Sequence, residues 1–214
     1  MVLIPRDQLG TFLPVKEAVH NPTVPAIGVE ETTVFIVGKQ GVDLNALLPP
    51  LKEGTAYHMV SRGHWSLHEM MSLLLSRIGP AHVSLASWGI TQEPLNKVLR
   101  LARTGAISAL DLYFDSRVKL QCPQAWQLIL AAKSEGLAIP VRVGLSKNHS
   151  KVIILRNAEW GIVVSGSANL TDNPRQEYYV VTVNAGLAAA SFAEWFDKGM
   201  RESTPFNDTD GIQC

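Results

Sequence analysis

Residues 148–156 read Asn148-His149-Ser150-Lys151-Val152-Ile153-Ile154-Leu155-Arg156, and residues 161–169 read Gly161-Ile162-Val163-Val164-Ser165-Gly166-Ser167-Ala168-Asn169. A polar connection then leads to Glu177-Tyr178-Tyr179. Val152–Leu155, Gly161–Val164 and Tyr178–Val183 are short apolar runs bounded by polar or glycine punctuation, which predicts three successive strands. His149 and Lys151 are two apart on a strand-like segment, so alternation puts both side chains on one face. The three strands then deliver an imidazole, an ammonium, a hydroxyl, a carboxamide and, from Glu177, a carboxylate. This set suits an anionic phosphoryl centre. The imidazole can attack or protonate. Lys151, Ser167, Asn169 and backbone N–H groups can stabilise charge on non-bridging oxygens. Glu177 can fix the imidazole tautomer. Such a scheme needs no metal and no cofactor.

Outward from this stretch the pattern is regular. Leu67, Met70, Met71, Leu74, Leu75 and Ile78 recur at helical spacing, and Gly79-Pro80 stops the helix. His82–Trp88 reads as a buried strand. Glu93–Thr104 reads as a helix with Thr91 as N-cap and Gly105 past its end. Ala109–Asp115 is a strand. Pro123–Glu135 is a helix opened by proline and stopped by Gly136. Ile139–Leu145 is a strand, and a last amphipathic helix spans about 187–200. Helices and strands alternate first and strands then follow one another, which argues for an α/β sandwich with a mixed sheet. Residues 1–60 hold half of the 12 prolines and read as an N-terminal extension. Only Thr32–Val37 is a firm strand there, and 44–48 is a helical turn ended by Pro49-Pro50. The organisation read from the sequence is therefore an extension over 1–60, a domain over 61–202 and a polar tail over 203–214.

The 214 residues carry 19 Lys+Arg and 19 Asp+Glu, so overall charge points to neither nucleic acid nor membrane, and a basic patch has to be local. Cys122 and Cys214 are the only cysteines, which excludes a disulfide framework. No apolar run reaches the roughly 18 residues of a membrane span, and Met1–Asp7 does not open like a signal peptide. A soluble cytoplasmic protein is the expectation. His58, His64 and His68 form a rival cluster, because His64 and His68 have the i, i+4 spacing of a zinc pair. Ser66 and Glu69, however, fit a capping box that opens the helix after His64.

His149-x-Lys151, Gly166-Ser167-x-Asn169 and Glu177 together resemble the HKD signature of the phospholipase D superfamily. The likeness follows the element order over roughly residues 65–200, is sharp over 149–177, and is nearest to the small single-motif bacterial endonucleases. It implies a phospholipase D-like α/β sandwich with a mixed central sheet flanked by helices. It also implies a metal-independent phosphodiesterase that forms a phosphohistidine. His149, Lys151, Asn169 and Glu177 are then catalytic, and Ser165, Gly166 and Ser167 contact the substrate. One motif per chain implies a homodimer with His149 from each subunit facing across a two-fold axis, with nucleic acid as substrate. One position departs from the pattern. The family's Asp, five residues after the lysine, is here Arg156, followed by Asn157, and Asp172 and Glu159 are candidates to compensate. A catalytically degenerate nucleic-acid-binding module is the alternative this raises. A phospholipid hydrolase ranks last, because no cationic amphipathic helix or anchor supports it.

Overall fold

The structure, a computed structural model, describes residues 32–134, 136–172, 175–183 and 188–204. The elements in chain order are β1 (Thr32–Val37), α1 (Leu44–Leu47), β2 (Thr55–Val60), α2 (Leu67–Ile78), β3 (Ala81–Ser87), α3 (Gln92–Arg103) and β4 (Ile107–Asp115). They continue with α4 (Val118–Gln121), α5 (Pro123–Ser134), β5 (Val141–Ser146), β6 (Val152–Arg156), β7 (Gly161–Gly166), β8 (Tyr178–Val183) and α6 (Ala188–Glu202). The strands form one eight-stranded sheet in the order β1-β2-β8-β7-β6-β3-β4-β5. The pairs β1/β2, β3/β4 and β4/β5 are parallel and the other four are antiparallel. The sheet is thus mixed and α/β, as the element order predicts.

Both faces of its centre are covered. Ile153 and Leu155 of β6 join a core with α2, α3 and α5, while Val152 and Ile154 pack with Ala189 and Phe196 of α6. A strand sealed on both sides reads as a continuous apolar run, which is why β6 shows no polar alternation. The helix ends also follow their sequence signals. Ser66 and Glu69 form a complete capping box at the start of α2. Thr91 occupies the N-cap of α3 without a side-chain hydrogen bond.

Two boundaries shift. The sheet does not begin at residue 61: β2 pairs with β8 along its whole length and β1 pairs with β2. The 32–60 segment therefore supplies two of the eight strands. At the other end, α6 runs to Glu202 and Thr204 N–H donates to the Leu145 carbonyl at 3.0 Å, so the polar tail starts later than 203. Residues 1–31, 187 and 205–214, and with them most of the expected extension and tail, lie outside the described residues. Among the described residues no helix is long and apolar enough to cross a membrane.

The topology gathers one set of strand ends. Because β6 runs antiparallel to β3, its first residue lies beside the last residues of β3, and hence of β4 and β5. By the same alternation Gly166 at the end of β7, Tyr178 at the start of β8 and Val60 at the end of β2 reach that edge. Ligands of open α/β sheets bind outside such carboxyl ends.

Candidate active site

The edge carries a shallow depression of about 500 Å³ lined by His149, Ser150, Lys151, Val152, Ser165, Gly166 and Ser167. His149 and Lys151 precede β6 instead of lying on it. Their loop is set by Asn148, which is buried. Its Nδ2 donates to the Tyr113 carbonyl at 2.9 Å, and its Oδ1 accepts from Ser150 N–H at 3.0 Å. The short side chain thereby closes a turn that a regular strand would have opened.

The His149 ring is exposed and lies against Trp88, with centroids 5.3 Å apart and planes tilted by 47°. Lys151 Nζ stands 5.8 Å from the same indole centroid and donates to the His149 carbonyl at 3.0 Å. Burial draws the Lys151 ammonium below the ordinary lysine pKa, and the Glu177 carboxylate pulls it back up. Lysine and histidine therefore share one side of the depression, with a cation held over an aromatic face.

The other side is built by the approach of β7 to β8. A Cβ on Gly166 would collide with the Tyr178 carbonyl, so only glycine allows the two backbones this close. Ser167 N–H donates to the Tyr178 carbonyl, and Ser167 Oγ accepts from Tyr178 N–H, both at 3.0 Å. Ser167 Oγ donates its own hydrogen to Glu177 Oε2. Glu177 is buried, and its backbone exchanges hydrogen bonds with Ser61: Glu177 N–H to Ser61 Oγ at 3.0 Å and Ser61 N–H to the Glu177 carbonyl at 2.8 Å. Asn169 is fixed from β3's end, where Gly89 N–H donates to its Oδ1 at 3.3 Å. His149, Lys151, Ser165, Gly166 and Ser167 thus share the depression, with Glu177 bonded to its Ser167 wall and Asn169 two residues further on.

No protein-family model matches the chain, and no curated protein matches it in sequence. Solved structures do. A phospholipase D family member, Nuc from Salmonella typhimurium, superposes with a TM-score of 0.51 at 21% identity, over 71% of this chain and 97% of Nuc. The fold is phospholipase D-like. Polyphosphate kinase from Porphyromonas gingivalis shares it at a TM-score of 0.51 and 12% identity, over 71% of this chain, which spans 27% of that kinase. TrmBL2, an archaeal chromatin protein, matches at 0.48 and 15% identity, over 69% of this chain and 53% of that one, a similarity too low to argue from.

Within this phospholipase D-like sheet the departure at Arg156 lies away from the depression. Arg156 ends β6, whereas Lys151 immediately precedes it, so about five residues at ~3.3 Å each separate them. Its Nε is buried without a partner among the described residues. Asn157 does the structural work there. Its Nδ2 donates to the Ile78 carbonyl at 2.9 Å, and its Oδ1 accepts from Glu159 and Trp160 N–H. It ties the β6–β7 hairpin to the α2–β3 turn. Asp172 lies elsewhere, 3.9 Å from His68 Nε2.

The rival histidines do not converge. His58 Nδ1 bonds Tyr178 Oη at 2.5 Å, His64 stands outside α2, and His68 is buried within it. His68 lies 2.9 Å from Ser66 Oγ through Nδ1 and 3.1 Å from Lys97 Nζ through Nε2. Burial and then the Lys97 charge lower its pKa, against the opposing pull of Glu69, Asp172 and Glu93. Among the described residues no group of three His, Cys, Asp or Glu is placed to hold a metal ion.

One neighbour was only partly legible. Trp88 carries His149, Lys151 and Arg117 together, with Arg117 Cζ 5.2 Å from its centroid. A tryptophan directly after a strand, at the carboxyl edge of a sheet, was the available signal.

Proposed function

We propose that this chain is a metal-independent phosphodiesterase, a nuclease on DNA or RNA, working through a covalent phosphohistidine at a site shared by two subunits. The observation that carries the reading is the convergence of His149, Lys151 and Ser167 on one depression at the carboxyl edge of a phospholipase D-like sheet, with Glu177 behind Ser167. In the first step an imidazole nitrogen of His149 attacks phosphorus. The N–P bond forms as the bond to the leaving oxygen breaks, and that oxygen takes a proton from His149 of the partner subunit. In the second step the partner imidazole removes a proton from water, the water oxygen attacks phosphorus, and the N–P bond breaks. Lys151 and the Ser165–Ser167 backbone face the charge that develops on the non-bridging oxygens. Asn169 adds a carboxamide, and Glu177 orients Ser167 and the strand end. A second copy has a surface to meet: Phe35 on β1 is 66% exposed and falls in one cross-sheet row with His58, Val180 and Ser165. We place the symmetric contact of the proposed dimer on that row, which ends at Ser165 of the depression.

The test is cleavage of single- and double-stranded DNA in EDTA. The reading expects cleavage that His149→Ala lowers by more than about 10³-fold, as loss of a nucleophile does, with an unchanged melting temperature. Turnover in that variant at the parent rate would overturn it. Tight, salt-sensitive DNA binding without turnover would favour the binding-module alternative instead.

A further inference from the structure

We propose that Arg117, held edge-on by Asp115 and stacked on Trp88, is a specificity-determining residue that grips a second phosphate of a polymeric substrate, within a few nucleotides of the one attacked. The proposal rests on the phosphodiesterase reading of the His149 depression and names which diesters that site prefers: strands over isolated diesters.

Arg117 follows β4 by two residues, at the same edge as His149. Its own backbone N–H and its Nε both donate to Asp115 Oδ1, at 3.0 and 2.7 Å, and its Nη2 donates to Oδ2 at 3.2 Å. Asp115 is buried, so it is an anchor fixed by the fold and not a passing counter-ion. The guanidinium also lies over the Trp88 ring, its Cζ 5.2 Å from the centroid. A guanidinium has five N–H donors in a rigid fork. Two are spent on Asp115, and Nη1 has no partner among the described residues, so its hydrogens are oriented before any ligand arrives. That is the arrangement in which arginine recognises phosphate oxygens, with little freedom left to lose.

The position fits a neighbouring phosphate. Arg117 and His149 press on the same indole, at 5.2 and 5.3 Å from its centroid. In the sheet β4 lies two strands from β6, about 10 Å at ~4.8 Å per strand. A nucleic-acid strand advances about 3.4 Å per nucleotide, so a phosphate about three steps along the strand reaches Arg117 while another sits at His149. An isolated diester has no such second phosphate.

The experiment compares kcat/KM on a single-stranded oligodeoxynucleotide with kcat/KM on bis(p-nitrophenyl) phosphate, in EDTA. We expect Arg117→Ala to lower the oligonucleotide-to-monomer ratio about tenfold and to reduce the salt dependence by about 0.7 in slope, one single-strand phosphate contact. Arg117→Lys recovers only part of the ratio, because a point charge replaces the fork. Arg103→Ala removes the same charge from the far end of α3 and keeps the ratio of the parent. Equal losses on both substrates, an unchanged ratio in Arg117→Ala, or the same fall in Arg103→Ala would each overturn the proposal. If the parent cleaves neither substrate, the phosphodiesterase reading fails separately. Fluorescence anisotropy of the oligonucleotide in the His149→Ala background then decides Arg117 alone: binding weakened about tenfold by the added Arg117→Ala supports the grip, and unchanged binding removes it.

Discussion

Two arginine–aspartate pairs are mounted on one strand, and they do different things. Asp111 and Asp115 are four residues apart on β4, on the same face. Their side chains are 3% and 6% exposed, and their arginines, Arg142 and Arg117, are 51% and 53% exposed. Both pairs are two-point contacts at 2.6–3.2 Å. Locally they are almost the same object. What differs is the surroundings. Asp111 also accepts from His82 at 2.6 Å, and Arg142 reaches across to Asp197 of α6 at 2.8 Å. That pair is cross-linked to two further side chains and clamps α6 to the sheet. Asp115 sits where β4 ends, and its arginine lies over Trp88, the indole that also contacts His149. An identical ion pair is a clamp in mid-sheet and a preset ligand contact at the strand end. Position decides the role, not the chemistry of the pair.

This contrast can be broken by mutation. The largest expected effect belongs to the clamp. Asp111→Ala leaves Arg142 and His82 without their buried acceptor and should cost about 3 kcal/mol, the lower end for a broken buried pair because Arg142 can rehydrate. At about 2–4 °C per kcal/mol for a chain of this size, the midpoint falls by roughly 9 °C, read by calorimetry. A fall below 2 °C would remove the clamp from the account.

Next comes acid. Burial raises the Asp111 pKa, but hydrogen bonds from Arg142 and His82 and their charges outweigh it and bring the carboxyl down to about 2. A folded pKa below the unfolded one stabilises the fold above pH ~4, and that gain is lost as pH falls from about 4 to 2. Denaturant midpoints of the parent and Asp111→Asn should therefore converge over that window, closing a gap of roughly 2 kcal/mol. Histidine-range pH changes alone should leave the Asp111 contribution in place.

Smaller still is the open pair. Asp115→Ala should lower the midpoint by about 3 °C, since its arginine is solvated, yet depress the oligonucleotide-to-monomer ratio as Arg117→Ala does. Arg117→Ala itself should move the midpoint by no more than about 2 °C, as for a surface substitution. If Arg117→Ala destabilised the fold as much as Asp111→Ala, the two pairs would be equivalent and the contrast would fail.

The sequence made the punctuated parts of this molecule legible. Gly79-Pro80, Gly105 and Pro123 mark element ends as predicted, and the chemistry-bearing residues of 149–177 were readable because they lie close together in the chain. What escaped notice depends on partners distant in sequence. Thr55–Val60 is a central-sheet strand only because β8, some 120 residues later, pairs with it. Arg142 gains its meaning from Asp111 on the neighbouring strand, 31 residues away. The placement of His149 and Lys151 on a loop before β6 turned on one Asn148 side chain bonding to Tyr113. The contact of Arg117 with Trp88, 29 residues earlier, is of the same kind: nothing in the sequence around Arg117 announces it.

The most direct test of the account is to trap the intermediate. The parent would be mixed with a phosphodiester in excess, denatured in alkali, where a phosphoramidate survives, and analysed by intact and peptide mass spectrometry. The account predicts a phosphoryl adduct on the peptide containing His149, acid-labile and missing in His149→Ala. Turnover of the diester with no adduct on that peptide, undiminished in His149→Ala, would contradict it.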